Sequence, residues 1–176
     1  GTSYTPAGRV DSFEDFTLVN PTAELLLSRS ITGRYVRVRI VPGTQNFVFA
    51  SELSVGTLPE SDYDDGGTYR NAALGRPYAA SAPYTDSTQG YADVSGRELT
   101  DGVYGVTGSN YDTNWTGFQY SYSNKSFNNM WIDFDLGELK SVSEVMISSR
   151  RDANNNLVLP ENVALWTSSD GSNWQK

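Results

Sequence analysis

The chain has 176 residues, contains neither cysteine nor histidine, and carries a net charge of −8. Disulfides, thiolate or imidazole metal sites, and Ser-His-Asp or Cys-His catalysis are therefore excluded, so that any metal must take oxygen ligands, as calcium and magnesium do. The acidic charge makes nucleic acid and acidic membranes poor partners, and no apolar run reaches the roughly 18 residues of a bilayer-spanning helix.

The front of the chain is predicted to form short strands. Residues 10–18 could hold one weak strand, and residues 23–28 (AELLLS) form a strand or a helical turn. Residues 35–41 (YVRVRIV) alternate strictly, which places Val36, Val38 and Ile40 on one face. Residues 47–55 form the next strand, and Glu52 lies within it.

The middle of the chain is polar. Residues 58–67 combine Pro, Gly and several acids, which predicts a linker; its carboxylates either remain solvated or gather around a metal. Residues 78–82 are predicted to form a short edge strand. The stretch from 83 to 129 is long and rich in Gly, Asn, Ser and Tyr, so we expect it to be functional or braced by an ion.

Three further strands are predicted near the end. Residues 131–136 (WIDFDL) alternate between two faces, and Gly137 is expected to end that strand. Residues 142–147 form the second strand, and residues 163–166 form the third, which leads into the turn 169–171 (SDG). The whole pattern predicts an all-β fold whose chemistry lies in its turns.

Asp133 and Asp135 lie on the same face of one predicted strand. Two such carboxylates could act together in glycoside hydrolysis, or each could pair with an arginine or lysine on a neighbouring strand. Because the chain also lacks histidine, cysteine and a phosphate-binding glycine loop, we expect it not to be an enzyme.

Five motifs resemble the discoidin family, the coagulation factor C-type domains that include galactose-binding-like carbohydrate-binding modules. They are 71–77 (NAALGRP), 99–102 (LTDG), 112–115 (DTNW), 131–137 (WIDFDLG) and 168–174 (SSDGSNW). Two earlier stretches, 33–39 (GRYVRVR) and 49–55 (FASELSV), resemble the strands that close the family's domain. The resemblance implies a jelly-roll β-sandwich.

The order of these motifs is unusual. Residues 1–57 resemble the end of a discoidin domain, residues 68–176 resemble its beginning, and 58–67 would join them. The chain is therefore either one circularly permuted domain or the halves of two tandem domains. We prefer one domain, a monomer or a strand-swapped dimer, because separate halves would expose unpaired strand edges and termini are often adjacent.

The resemblance also implies a structural calcium ion. Some family members bind calcium at this place. The corresponding ligands in this chain would be the carbonyls of Leu99 and Val103, the carboxylates of Asp101 and Glu52, and the carbonyl and hydroxyl of Thr113. Calcium accepts about 6–8 oxygens in flexible geometry. The insertion 104–111 departs from the family's compact spacing. An Asp-Gly turn with a capping threonine is the alternative.

Sugar binding is the function that the resemblance implies. Carbohydrate modules use aromatic faces against the apolar side of a pyranose and planar polar groups for its hydroxyls. In the family, an arginine in the loop after 142–149 often meets the ligand. The candidates are Tyr104, Tyr111, Tyr120, Tyr122, Arg150, Arg151 and Asn155. Any one of these aromatic rings could instead serve in packing.

We therefore expect a non-catalytic carbohydrate-binding module that holds a secreted bacterial polysaccharide-degrading enzyme on a polysaccharide or oligosaccharide, which raises effective concentration. An adhesion or protein-interaction discoidin domain is the alternative. No signal peptide is visible after Gly1, and we expect the chain to be a piece of a longer extracellular protein.

Overall fold

The computed structural model describes residues 9–10, 22–42, 47–58, 70–81, 83, 90–105, 112–119, 130–155 and 157–175. Within these residues strands predominate and helix is nearly absent, which confirms the all-β prediction. The strands are β1 (Arg9–Val10), β2 (Thr22–Pro42), β3 (Phe47–Leu58), β4 (Arg70–Asn71), β5 (Tyr78–Ala80), β6 (Thr116–Gln119), β7 (Met130–Arg150), β8 (Pro160–Ser168) and β9 (Trp174–Gln175). Two 3-10 turns cover Glu98–Thr100 and Ala153–Asn155. None of the helical segments in the described ranges is long and apolar enough to cross a bilayer.

Strands β2 and β7 form the centre of the sheet. They pair antiparallel along most of their length, and the strand order is β1-β8-β2-β7-β3-β4. Off this path, β5 pairs with β7, β6 with β3, and β9 with β8. Strands from the front and from the end of the chain therefore alternate in one sheet.

The core lies on one face of the second half of β2 and of the first part of β7, whereas residues 48–57 of β3 are buried on both faces. Val36, Val38 and Ile40 of β2 are buried, as the alternation predicted, and so are Ile132 and Phe134 of β7. Apolar side chains from both ends of β2 and β7 belong to a single cluster. The sheet therefore curves over its own core as in a sandwich. Burial of each large apolar side chain stabilises the folded state by about 2 kcal/mol.

Strand β7 does not end at Gly137, which corrects the sequence-based expectation. It continues to Arg150. Gly137 adopts a φ of 86°, and the pairing of β7 with β2 shifts register between Gly33 and Tyr35 of β2. A glycine here permits a bend rather than a stop, because hydrogen bonds to the partner strand keep the chain extended beyond it.

The other predicted segments are described in part. Residues 23–28 belong to β2 and are a strand, not a helical turn. Strand β1 covers only the first residue of the weak strand expected at 10–18, and the rest of that prediction lies outside the described residues. Leu58 ends β3, and the remainder of the predicted linker, 59–67, also lies outside them.

Candidate functional site

Glu52 lies where strand β3 meets the loop that follows the 3-10 turn Glu98–Thr100. A register shift between Ala50 and Glu52 interrupts the pairing of β3 with β7. The Glu52 side chain is 3% exposed, and its Oε2 accepts a hydrogen bond of 3.1 Å from the Gly102 backbone N–H. Gly102 has a φ of 83°, a conformation that favours glycine.

The electrostatics of Glu52 are those of a buried carboxylate. Burial raises its pKa to about 7, the Gly102 N–H opposes the rise, and Asp101 adds to it. Its Oε1 is buried and accepts no hydrogen bond from any residue in the described part of the chain. A buried carboxylate oxygen is costly without a partner, and a calcium ion is a partner that fits its chemistry.

Three of the other predicted calcium ligands lie in the same loop. Leu99 is buried, whereas Asp101 and Val103 are exposed. The Asp101 carboxylate accepts a 2.8 Å hydrogen bond from the Val103 N–H. Thr113 is exposed in the turn that leads to Trp115. The structure therefore brings Glu52 together with the loop 99–103.

Trp115 joins the turn at 112–115 to that loop. Its ring is fully buried, and a side-chain carbon added to Gly105 would lie 2.2 Å from it, so the backbone at Gly105 rests on the indole. Among the described residues no group of three or more acidic side chains is arranged to hold a metal. The implied set needs only two carboxylates, since carbonyl and hydroxyl oxygens complete it.

A second loop is tied to the first. The N–H of Gly75 donates to the Thr100 carbonyl at 2.5 Å, and the Thr100 hydroxyl donates to the Arg76 carbonyl at 2.6 Å. Arg97 Nη1 donates to the Gly75 carbonyl at 3.0 Å. The loops 72–76 and 97–105 are therefore held together as one unit.

Asp93 holds the turn that leads into the loop 97–105. The sequence analysis did not predict this role. Its carboxylate accepts hydrogen bonds from the Ser95 and Gly96 N–H groups at 2.8 and 2.7 Å, and from the Tyr78 hydroxyl. The Glu98 N–H also donates to it, at 3.2 Å. Asp, Ser and Gly within four residues (93–96, DVSG) are typical of a turn, and that signal could have identified Asp93.

The predicted ligand-binding residues differ in accessibility. Tyr104 is 56% exposed, and Arg151 and Asn155 are exposed as well. Arg150 is only 3% exposed: its guanidinium lies 5.8 Å from the centre of the Trp115 ring, with Nη2 3.5 Å from the Asp152 carboxylate.

Asn155 Nδ2 donates to the Asp152 carboxylate at 2.9 Å, which places it in the same group as Arg150. Tyr111, Tyr120 and Tyr122 lie outside the described residues. Of the seven predicted residues, the structure therefore gathers Arg150 and Asn155 around Asp152. Tyr104 directly precedes Gly105, in the loop whose Gly102 contacts Glu52.

Asp133 and Asp135 are both paired with arginines. Arg37 donates two 2.7 Å hydrogen bonds to Asp133, and Arg34 donates two of the same length to Asp135. Hydrogen bonds from Arg34 hold the pKa of Asp135 down at about 2. Both carboxylates thus make the cross-strand ion pairs that the sequence allowed as the alternative to a catalytic pair.

Two comparisons of the sequence with known proteins found no match. No protein-family model matches the chain, and no curated protein sequence matches it significantly. The residues and their contacts are therefore the basis on which a function can be inferred.

Proposed function

We propose that this chain is a non-catalytic carbohydrate-binding module with a discoidin-like jelly-roll sandwich. The observation that carries the proposal is the hydrogen bond between Glu52 and Gly102. It joins the segment that resembles the family's closing strand to the segment that resembles its Asp-Gly loop. These two segments would need to meet in a discoidin domain, although here they occur in reversed order along the chain.

Circular permutation is the arrangement that we propose for the two parts. Strands β2 and β3 belong to the part of the chain that ends at Leu58, and β7 and β8 belong to residues 68–176. Their pairing in a single sheet supports one domain built from both parts. A strand-swapped dimer would use the same pairings between two molecules, and the mass of the protein in solution distinguishes them.

We also propose that the module holds one structural calcium ion. Glu52 and Asp101 would supply carboxylate oxygens, Leu99 and Val103 their carbonyls, and Thr113 its carbonyl and hydroxyl. When bound, the ion would offset the negative charge of a buried carboxylate and fasten the loop to strand β3. The buried Oε1 of Glu52, which accepts no hydrogen bond within the described residues, supports this assignment.

The proposed module acts by binding alone. An exposed phenol at Tyr104 and exposed polar side chains at Arg151 and Asn155 supply the groups that a sugar needs. The module would hold a secreted polysaccharide-degrading enzyme near its substrate and so raise the local substrate concentration. Because a few stacking contacts and hydrogen bonds must offset the ordering of the ligand, each single site would bind weakly.

Affinity electrophoresis tests the proposal. The protein would be run in native gels that contain different soluble polysaccharides, neutral and acidic, with a gel without polymer and a non-binding protein as controls. Retardation in at least one polymer is the expected result. Equal mobility in every gel would contradict carbohydrate binding, and new reducing ends in the same mixtures would show that the domain is a catalyst.

A protein-interaction or adhesion domain is the second candidate. Leu74 and Val103 are exposed apolar side chains in the joined loops 72–76 and 97–105, and such side chains also occur at protein interfaces. This alternative predicts no retardation by any polysaccharide, together with saturable binding to cell-surface protein that persists after the glycans are removed.

A further inference from the structure

Strands β1 and β9 lie on the same edge of strand β8, although one comes from the front of the chain and the other from near its end. Both pair antiparallel with β8, and β2 occupies the opposite edge of that strand. The paired residues are Arg9 with Ala164, Val10 with Val163, Gln175 with Thr167 and Trp174 with Ser168. Because both strands run opposite to β8, they run in the same direction as each other.

The register of these pairings places β9 directly in line with β1. Gln175 ends β9 and Arg9 begins β1, and their partners at positions 167 and 164 of β8 are separated by only two residues. A strand advances about 3.3 Å per residue, so the three steps from Gln175 to Arg9 amount to about 10 Å. Two residues placed between them would therefore continue β9 into β1 along β8 without a change of direction.

A turn and a contact with β2 hold β9 in this position. The Asp170 carboxylate accepts 2.8 Å hydrogen bonds from the backbone N–H groups of Ser172 and Asn173, and these fix the turn that joins β8 to β9. The Trp174 ring centre lies 4.3 Å from the Arg37 guanidinium of β2. The position of β9 is therefore determined by the turn before it and by the central part of the sheet.

The three front strands, β1, β2 and β3, do not pair with one another in the part of the chain that the structure describes. Strand β1 pairs with β8, β2 pairs with β7 and β8, and β3 pairs with β4, β6 and β7. All of these partners belong to residues 70–176. The front strands therefore have no sheet of their own, and their place in the sandwich depends on the strands that they pair with.

We infer that β9 and β1 are two parts of one edge strand, so that the strands of the sandwich follow one another in a closed circle. Strand β3 leads to β4 through residues 59–69, and β9 leads to β1 across a space of two residues. The permutation proposed above requires only that the two parts could be joined in the other order, whereas the register specifies where that junction lies and how long it is. The inference depends on backbone pairing alone, so it stands apart from the sugar and calcium proposals.

Split-intein cyclisation of the whole chain tests whether β9 and β1 are neighbours in one molecule. Lys176 and residues 1–8 would form the connection, which spans about 10 Å without strain because an extended chain covers about 3.3 Å per residue. We expect circular monomers whose melting temperature is about 5–10 °C above that of the linear chain, because closure restricts the unfolded state.

Shortened connections test the register itself. Residues 1–8 are removed, and Gln175 is joined to Arg9 through one, two or three residues, counting the serine that the intein leaves. Two residues continue the strand, so this chain should melt within about 3 °C of the circular whole chain. One residue spans only about 7 Å and must pull β1 or β9 away from β8, so it should melt at least about 5 °C lower. Three residues require a bulge, and their melting temperature should lie between the other two.

The linear chain 9–176 is the matched control for the loss of residues 1–8. Circular dimers without circular monomers, or a circular whole chain that melts below the linear one, would overturn the inference, because β9 and β1 would then not be neighbours in one molecule. Equal melting temperatures for the three shortened circles would overturn the shared register. None of these results bears on carbohydrate binding, which affinity electrophoresis tests separately.

Discussion

Arg37 and Asp133 form a two-point ion pair across strands β2 and β7. Both hydrogen bonds measure 2.7 Å, and the guanidinium lies 4.7 Å from the Trp131 ring and 4.3 Å from the Trp174 ring. The pair therefore ties β9, near the end of the chain, to the two central strands. Because both side chains are partly exposed, solvent weakens the electrostatic part of this interaction.

Replacement of Arg37 should destabilise the fold more than replacement of its carboxylate partner. We expect Asp133→Asn to lower the free energy of unfolding by about 1 kcal/mol, because it weakens only the ion pair. Arg37→Met should lower it by about 2 kcal/mol, because it also removes two cation–π contacts. Urea unfolding of both single variants and the double variant measures the coupling, and equal effects of the two single variants would contradict this account.

Removal of calcium should lower the thermal stability of the wild-type protein. If the ion binds with a Kd of about 10 µM, replacing 1 mM calcium by a chelator should lower the melting temperature by about 5–10 °C. Glu52→Gln and Asp101→Asn should abolish that difference. Glu138→Gln is the matched control, because Glu138 is an exposed acid paired with Lys140. An equal melting temperature with and without calcium would remove the metal from the proposal.

The pKa of Glu52 predicts how stability depends on pH in chelator. In the folded protein that pKa is about 7, against an ordinary value of 4.5, so the folded state holds a proton that the unfolded state has released between these values. The free energy of unfolding should therefore fall as pH rises from about 4.5 to about 7, by up to about 3 kcal/mol.

Two controls accompany this pH dependence. Glu52→Gln should remove most of the decline between pH 5 and pH 8, since glutamine does not titrate. Saturating calcium should remove it as well, because the ion favours the carboxylate over the carboxylic acid. A decline of the same size in Glu52→Gln would assign it to other groups.

Gly105→Ala should be strongly destabilising. Its new methyl group would lie 2.2 Å from a Trp115 ring that is fully buried, so either the loop or the ring must move, at about 2–3 kcal/mol. Gly75→Ala is the matched control: nothing lies within 4 Å of its added carbon, and only its φ of 69° opposes alanine. That strain should amount to about 1 kcal/mol, and chemical denaturation of both variants compares the two.

Local periodicity was sufficient to predict several strands and their buried faces. The alternation around Val36, Val38 and Ile40 reports burial on one side of a strand, which depends only on neighbouring residues. The same pattern failed at Gly137, because the choice between an end and a bend depends on β2, a strand that lies about a hundred residues earlier. Periodicity carries no information about that pairing.

The candidate site was predictable only where a motif implied a partner. The resemblance connected Glu52 to the loop 99–103, and the two do meet through Gly102. Arg150 was expected to be available to a ligand, because in the family an arginine of the corresponding loop often meets the ligand. Its burial depends on Trp115, which the sequence alone does not bring near it.

The central strand pair joins residues that precede Leu58 to residues that follow Arg70. A single proteolytic cut between those two positions would break the covalent chain and leave every hydrogen bond between β2 and β7 in place. Two fragments expressed separately, ending and starting there, should thus associate spontaneously, which would make the chain a candidate for split-protein complementation.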